Sequence, residues 1–359
     1  MKTKRQLWQE LLDGHQALAP YAPSVDGNPP RSLYLERELA IRPARFARYV
    51  GYTADSLGAQ AGSQWLSALL TGAQGEVFEA YAYGTFVDAG FRFTPKVSIA
   101  SEALFRNGAG TTELDGRFTM VDVYFDIKSL ARPSGVVESL LDEVNYRIRP
   151  TGLIASVNGP LDFSNLALDQ TQFGNAVQAI VGAAAANKSY AYPGLGVRFR
   201  FVDAATPVQF AEHEFNAYRF AEENRFSVMT SAKQVPRAQR FLFVYVYSEI
   251  DHLLGGFPDM AEIGERALAR RVFMELTHSS TPVRTYCIKA DPAATVGDVS
   301  RAIGGLLFVN ISRTEDPVSL RFYLNPNANP PQRITKYHVD QITDFDHMMY
   351  AEDFAFDNY

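Results

Sequence analysis

Within residues 111–130, TTELDGRFTMVDVYFDIKSL, two aspartates and a lysine are spaced so that a β-hairpin would gather them. On a strand over 123–128, Val123, Phe125 and Ile127 share one face, while Tyr124, Asp126 and Lys128 share the other. A preceding strand over 113–119 puts Asp115 on the face of Arg117, with Leu114 and Phe118 opposite. A tight antiparallel turn centred between Met120 and Val121 sets Asp115 directly across from Asp126. Opposed residues have Cβ atoms about 4.5–5.5 Å apart, a separation at which two carboxylates can share one divalent cation. Like charges opposed across a ladder are otherwise destabilising, so the pair calls for a positive partner. As a plain surface salt-bridge ladder the group would contribute only about 0–1 kcal/mol, which is little reason to place two acids together.

These residues, Asp115 in ELDG and Asp126-Ile127-Lys128 in FDIKS, resemble the active-site motif of the PD-(D/E)xK nucleases, the restriction-endonuclease-like superfamily. The tripeptide alone carries little weight, because a chain of this composition holds about one such match by chance. Its value comes from its surroundings: an apolar strand ending at the motif, a preceding strand carrying an Asp, and an upstream helix carrying acids. The position before Asp115 is Leu114, not the proline of the family's name. The resemblance implies a metal site formed by Asp115, Asp126 and the backbone carbonyl of Ile127, with Lys128 orienting the attacking water or stabilising charge on the phosphate. Hard oxygen ligands of this kind select Mg²⁺ or Mn²⁺. A family helix often adds an acid to the metal shell. That role falls on Glu79, with Glu76 as the substitute; otherwise the two are solvent-facing glutamates near a helix N-terminus, which the helix dipole favours. A second metal ion about 3.5–4 Å from the first would give Glu79 its purpose.

The elements that must position these groups follow from periodicity and punctuation. An amphipathic helix is predicted over 3–18, a second over 56–70, and a third, GEVFEAYAYGTFVDA, over 75–89 with Gly90 as its C-cap. A strand falls somewhere in 91–105, a turn at Asn107–Gly110, then the two motif strands. A helix over 134–147 and a short apolar strand over 152–157 complete the order helix, three strands, helix, strand that the resemblance implies. The predicted fold class is therefore α/β (α+β), a restriction-endonuclease-like core with a central mixed sheet flanked by helices, plus a C-terminal α/β accessory region. Its divisions are an N-terminal segment (1–55), the nuclease core (56–160), the accessory region (161–336) and an acidic tail (337–359). Within the accessory region helices are predicted over 163–187 and 207–224, strands over 197–203 and 240–249, and further helical or extended runs over 261–276, 282–289, 295–303 and 305–312. Phe241, Phe243, Tyr245 and Tyr247 share one strand face. Such a stripe stacks bases or, more ordinarily, packs a core.

The whole chain has 359 residues and a net charge of −6, with 47% hydrophobic and 21% charged residues, ordinary values for a globular protein. No run approaches 18 uncharged apolar residues, and the N-terminus lacks a signal core, so a cytoplasmic protein with no membrane span is expected. Cys287 is the single cysteine, which excludes an internal disulfide and a thiolate zinc site. Residues 337–359 carry six acids and no Lys or Arg, so the remainder is formally neutral. Arg42, Arg45 and Arg48, Arg237 and Arg240, and Arg266, Arg270 and Arg271 permit a phosphate-binding surface, although each group alone reads as a solvated face. Glu249, Asp251 and His252 could form a second metal site but read more simply as a surface cluster.

The resemblance implies a DNA endonuclease of the restriction or phage-defence type, with RNA as the alternative substrate. The accessory region would serve target recognition, homo-oligomer formation or a partner protein. The competing expectation is a non-catalytic nucleic-acid- or protein-binding module on the same scaffold, which the net acidity favours.

Overall fold

A computed structural model describes residues 2–30, 34–72, 74–129, 135–158, 170–192, 197–203, 217–248, 258–311, 319–329, 333–342 and 349–351. The chain divides into two units, one formed by 1–130 with 215–359 and the other by 131–214.

The larger unit opens with five helices: α1 (Lys4–Gly14), α2 (Tyr34–Ile41), α3 (Pro43–Leu57), α4 (Ala59–Leu70) and α5 (Gln74–Asp88). Thr3 and Gln6 close α1 with a reciprocal capping box, which satisfies two otherwise free backbone donors. At the far end of α5, Gly90 takes a φ of +73° as the predicted cap requires. Next come β1 (Phe93–Ala100), β2 (Thr111–Phe118) and β3 (Val123–Ser129), joined as antiparallel neighbours.

The smaller unit holds α6 (Gly135–Ile148), β4 (Leu153–Asn158), α7 (Gln170–Ala184), β5 (Ser189–Tyr192) and β6 (Val197–Asp203). Its three strands are antiparallel in the order β4-β6-β5. Its own core joins Leu140, Val144 and Ile148 of α6 to Val177 and Ile180 of α7 and to Phe199 and Phe201 of β6. Ala176, Ala183 and Ala184 of α7 are buried in it as well, while Gly182 is exposed.

The chain then resumes the larger unit with α8 (Ala217–Asn224), α9 (Ser227–Thr230), β7 (Arg240–Ser248), α10 (Pro258–Arg270), α11 (Val296–Ala302), β8 (Gly305–Ile311), β9 (Ser319–Leu324), α12 (Lys336–Ile342) and β10 (Met349–Ala351). The result is a seven-stranded mixed sheet in the order β1-β2-β3-β7-β8-β9-β10, parallel from β3 through β7 to β8. Leu242, Val244 and Val246 of β7 face a core shared with α1 to α5. Phe241, Phe243, Tyr245 and Tyr247 face a second core shared with α8 and α10. Covered on both faces, β7 and β8 are apolar almost throughout, as central parallel strands must be.

This topology corrects the expected core. Its closing strand is not the segment 152–157, which as β4 pairs with β6 in the smaller unit; the neighbour of β3 is β7. The physical reason is coverage. β4 alternates, with Ile154 exposed and Ala155 buried, and fits a sheet covered on one side, whereas β7 needs burial on both faces. The boundaries at 160 and 161 therefore differ from the observed units, and the stretch expected as accessory supplies three of the seven strands of the main sheet. The aromatic stripe of β7 is core, not a stacking platform. The tail is not all appended either, because β10 adds to the sheet beside β9. The helical or extended run expected over 282–289 holds only a short 3₁₀ turn, Val283–Thr285. Among the described residues, no helix is long and apolar enough to cross a membrane.

Candidate active site at a strand fork

The predicted hairpin register is present. Phe118 pairs with Val123, Arg117 with Tyr124 and Gly116 with Phe125, around a turn that includes Asp122 at φ +56°. Asp tolerates that left-handed conformation better than most side chains. The β2–β3 ladder then stops. β2 continues beside β1 as far as Thr111, and β3 continues beside β7 as far as Ser129, so the two strands part like a fork. Asp115 stands at the parting point. Its Oδ2 accepts a hydrogen bond of 2.7 Å from the Ile127 amide, which the next rung of the ladder would otherwise engage. On its outer side β2 holds Gly116 against the ring of Phe125, so tightly that a Cβ there would lie 2.3 Å from the ring carbon Cζ.

One detail of the expected facing is wrong. Leu114 and Phe118, placed together by strict alternation, pack in different cores. The β1–β2 ladder skips the level of Lys96 and Asp115, and Lys96 sits at φ +49°, which breaks the regular pleat at that level.

This irregular level brings in residues that sequence reasoning did not assign. Lys96 Nζ donates to Asp115 Oδ1 at 2.8 Å and to Glu79 Oε1 at 2.7 Å. Trp65 Nε1 donates to Glu79 Oε2 at 3.0 Å, so both Glu79 oxygens are engaged by protein donors. Tyr83 OH donates to the Asp115 carbonyl at 2.5 Å and ties α5 to the fork. On the other side Gln234 Nε2 donates to Asp126 Oδ1 at 3.2 Å. The enclosed Asp126 Oδ2 forms an ion pair with the Lys128 ammonium. The structure thus gathers Glu79, Asp115, Ile127, Asp126 and Lys128 around the fork. Among the described residues, Glu76 forms no hydrogen bond or ion pair at the fork.

The electrostatics separate the three acids. Burial pushes Asp126 up to about 7 despite the Lys128 ammonium. Burial also raises Glu79, which Lys96 offsets only in part. For Asp115 burial acts in the same direction, but the Lys96 charge and the Ile127 amide overcome it and hold the carboxyl below its ordinary value. Lys96, lowered by burial alone, is raised overall by the charges of Asp115 and Glu79.

Among the described residues, no group of three or more His, Cys, Asp or Glu side chains is arranged to hold a metal ion. The oxygen donors at the fork are fewer: Asp115, Asp126 and main-chain carbonyls. Mg²⁺ keeps several waters and is commonly held by one or two carboxylates. The chemistry of this donor set, two buried neighbouring carboxylates of which Asp126 is pushed up by burial, is the observation by which the group fits such an ion. The residues Glu249, Asp251 and His252 lie outside the described residues.

The basic groups proposed as a phosphate surface are largely engaged elsewhere. Arg42 is fully buried against Glu38 at 2.7 Å, and Arg45 is buried as well. Arg48 pairs with Asp88, Arg237 with Asp291, Arg266 with Glu262 and Arg271 with Glu275, while Arg240 donates to the Val121 carbonyl. No family model, curated protein or solved structure matches this chain.

Proposed function

We propose that the chain is a metal-dependent nuclease, most specifically a Mg²⁺- or Mn²⁺-dependent DNA endonuclease of the restriction or phage-defence type. The observation that carries this reading is the fork itself: two carboxylates on parting strands, one of them fully buried and paired with a lysine two residues beyond. Asp115, Asp126 and the Ile127 carbonyl would hold the ion. When bound, such an ion lowers the pKa of a coordinated water and polarises the phosphate.

The chain's own groups do the rest. The Ile127 amide and Lys96 fix Asp115 from two directions, so its carboxylate is oriented before any ligand arrives. Lys128 keeps a positive charge beside Asp126, where charge on a phosphoryl oxygen would develop. Gln234 holds the remaining Asp126 oxygen in place.

A second reading has one observation in its favour. Lys96 already supplies a cation to Asp115 and Glu79, which is how a non-catalytic scaffold would neutralise an inherited acidic cluster. Supercoiled plasmid and linear duplex, incubated with Mg²⁺, Mn²⁺ or EDTA, separate the two. Metal-dependent nicking that disappears in folded Asp126→Ala and Lys128→Ala supports the nuclease. DNA binding without turnover by the wild type, in any metal and with RNA also offered, supports the scaffold.

A further inference from the structure

We infer that Lys96 occupies the position a second divalent cation would take, so that this centre binds a single metal ion and Glu79 is not one of its ligands. The inference rests on the metal-dependent reading above and concerns how many ions the centre takes. Two carboxylates from different elements, Glu79 on α5 and Asp115 on β2, face each other across one ammonium, at 2.7 and 2.8 Å. Two-metal phosphodiester centres place a cation at just such a junction, bridging a shared carboxylate to an outer one about 3.5–4 Å from the first ion. Here the shared carboxylate is Asp115 and the outer one is Glu79.

Three further facts make Lys96 a built part of the centre and not a passing surface lysine. Its side chain is only 24% exposed. Its backbone adopts a φ of +49°, a conformation uncommon for a lysine, at the one skipped level of the β1–β2 ladder. Glu79 is fixed at both ends of its carboxylate, by Trp65 at Oε2 and by Lys96 at Oε1, so it is built around the ammonium. An ion entering between Glu79 and Asp115 would have to displace the ammonium and leave it buried without a partner.

The test is Mn²⁺ stoichiometry, measured on the full chain by calorimetric titration and by counting bound Mn²⁺ with electron paramagnetic resonance. The wild type is expected to bind one ion. Lys96→Met is expected to bind a second, and Lys96→Met/Glu79→Gln to return to one. Because Lys96→Met strands two buried acids and can fail to fold, Glu79→Gln alone gives an independent readout. It should leave the affinity for the first ion within about threefold of wild type, whereas loss of a true ligand shell partner typically costs about 10–100-fold. Two ions in the wild type, one ion in folded Lys96→Met, or a tenfold or greater loss of affinity in Glu79→Gln would each overturn the role of Lys96 while leaving a metal centre in place. No Mn²⁺ bound by any variant would overturn the metal reading itself. An ion bound only after Lys96→Met would do the same for the natural chain, with Lys96 as its sole cation.

Discussion

The carboxylate of Asp115 takes the Ile127 amide at 2.7 Å, so a side chain stands in for the next backbone rung between β2 and β3. The fork is thereby held open without leaving an orphaned donor.

Lys128 is the group whose removal should separate chemistry from folding. Its side chain is a quarter exposed, and its main partner is Asp126. Loss of one preorganised charge of this type commonly lowers turnover about 10²–10³-fold. Lys128→Ala should therefore reduce DNA cleavage by that factor in single-turnover assays, with the melting temperature shifted by only a few degrees. Lys128→Arg keeps the charge but changes its geometry and should recover part of the loss.

Asp126 gives a pH dependence of definite sign. Burial raises its folded pKa to about 7, above the unfolded value, so between about pH 4 and 7 the folded state holds a proton that the unfolded state has released. Its contribution to stability is therefore favourable in acid and is lost as pH rises through about 7. Asp126→Asn should gain stability relative to the metal-free wild type, with the difference growing across that window and then levelling. Urea unfolding at a series of pH values measures it. Mn²⁺ competes with the same proton, so its affinity should rise with pH through about 7.

Gly116 tests the close approach that aligns the fork. A Cβ there would lie 2.3 Å from the Phe125 ring and 2.8 Å from the Thr94 carbonyl, and the backbone carbonyl cannot swing aside. Gly116→Ala should cost about 1–3 kcal/mol, the usual range for overpacking a filled core. Denaturant titration gives the value directly.

Far from the fork, Arg321 of β9 makes a two-pronged pair with the fully buried Glu265 of α10, which Tyr247 and Tyr323 also contact. Arg321→Met would leave that carboxylate without its counter-charge, at a cost of about 3–5 kcal/mol. Chemical unfolding of the variant beside wild type checks this. Glu265→Gln in the Arg321→Met background should restore part of the loss.

The hairpin could be read from the residues because its information is local. Alternation of Val123, Phe125 and Ile127 fixes the buried face, and a register slip would expose all three. That is why Asp115 and Asp126 come together as expected, and why the cap at Gly90 and the strands at 197–203 and 240–248 fall where they do. Lys96 could not be read. In FTPKVSIA it looks like an outward lysine on an edge strand, and its left-handed turn inward depends on β1 meeting β2 at a particular offset. Trp65 and Gln234 belong to elements brought in by packing, with no spacing relation to the motif. The partner of β3 was equally hidden, because an apolar run does not name its neighbour.

The pairing of β3 with β7 has a consequence for how this protein is made. Asp126 and Gln234 are 108 residues apart, and the smaller unit is translated between them. At about 5–20 residues per second, β3 waits several seconds or more on the ribosome with one edge bare. Until β7 arrives, Phe125 and Ile127 lie on a strand open to pairing with any passing chain. During that interval the fork has no closed inner wall, and it gains one only when β7 (Arg240–Ser248) has been made. Whatever chemistry the centre performs, a product that ends before β7 lacks the strand and the Gln234 contact that complete it.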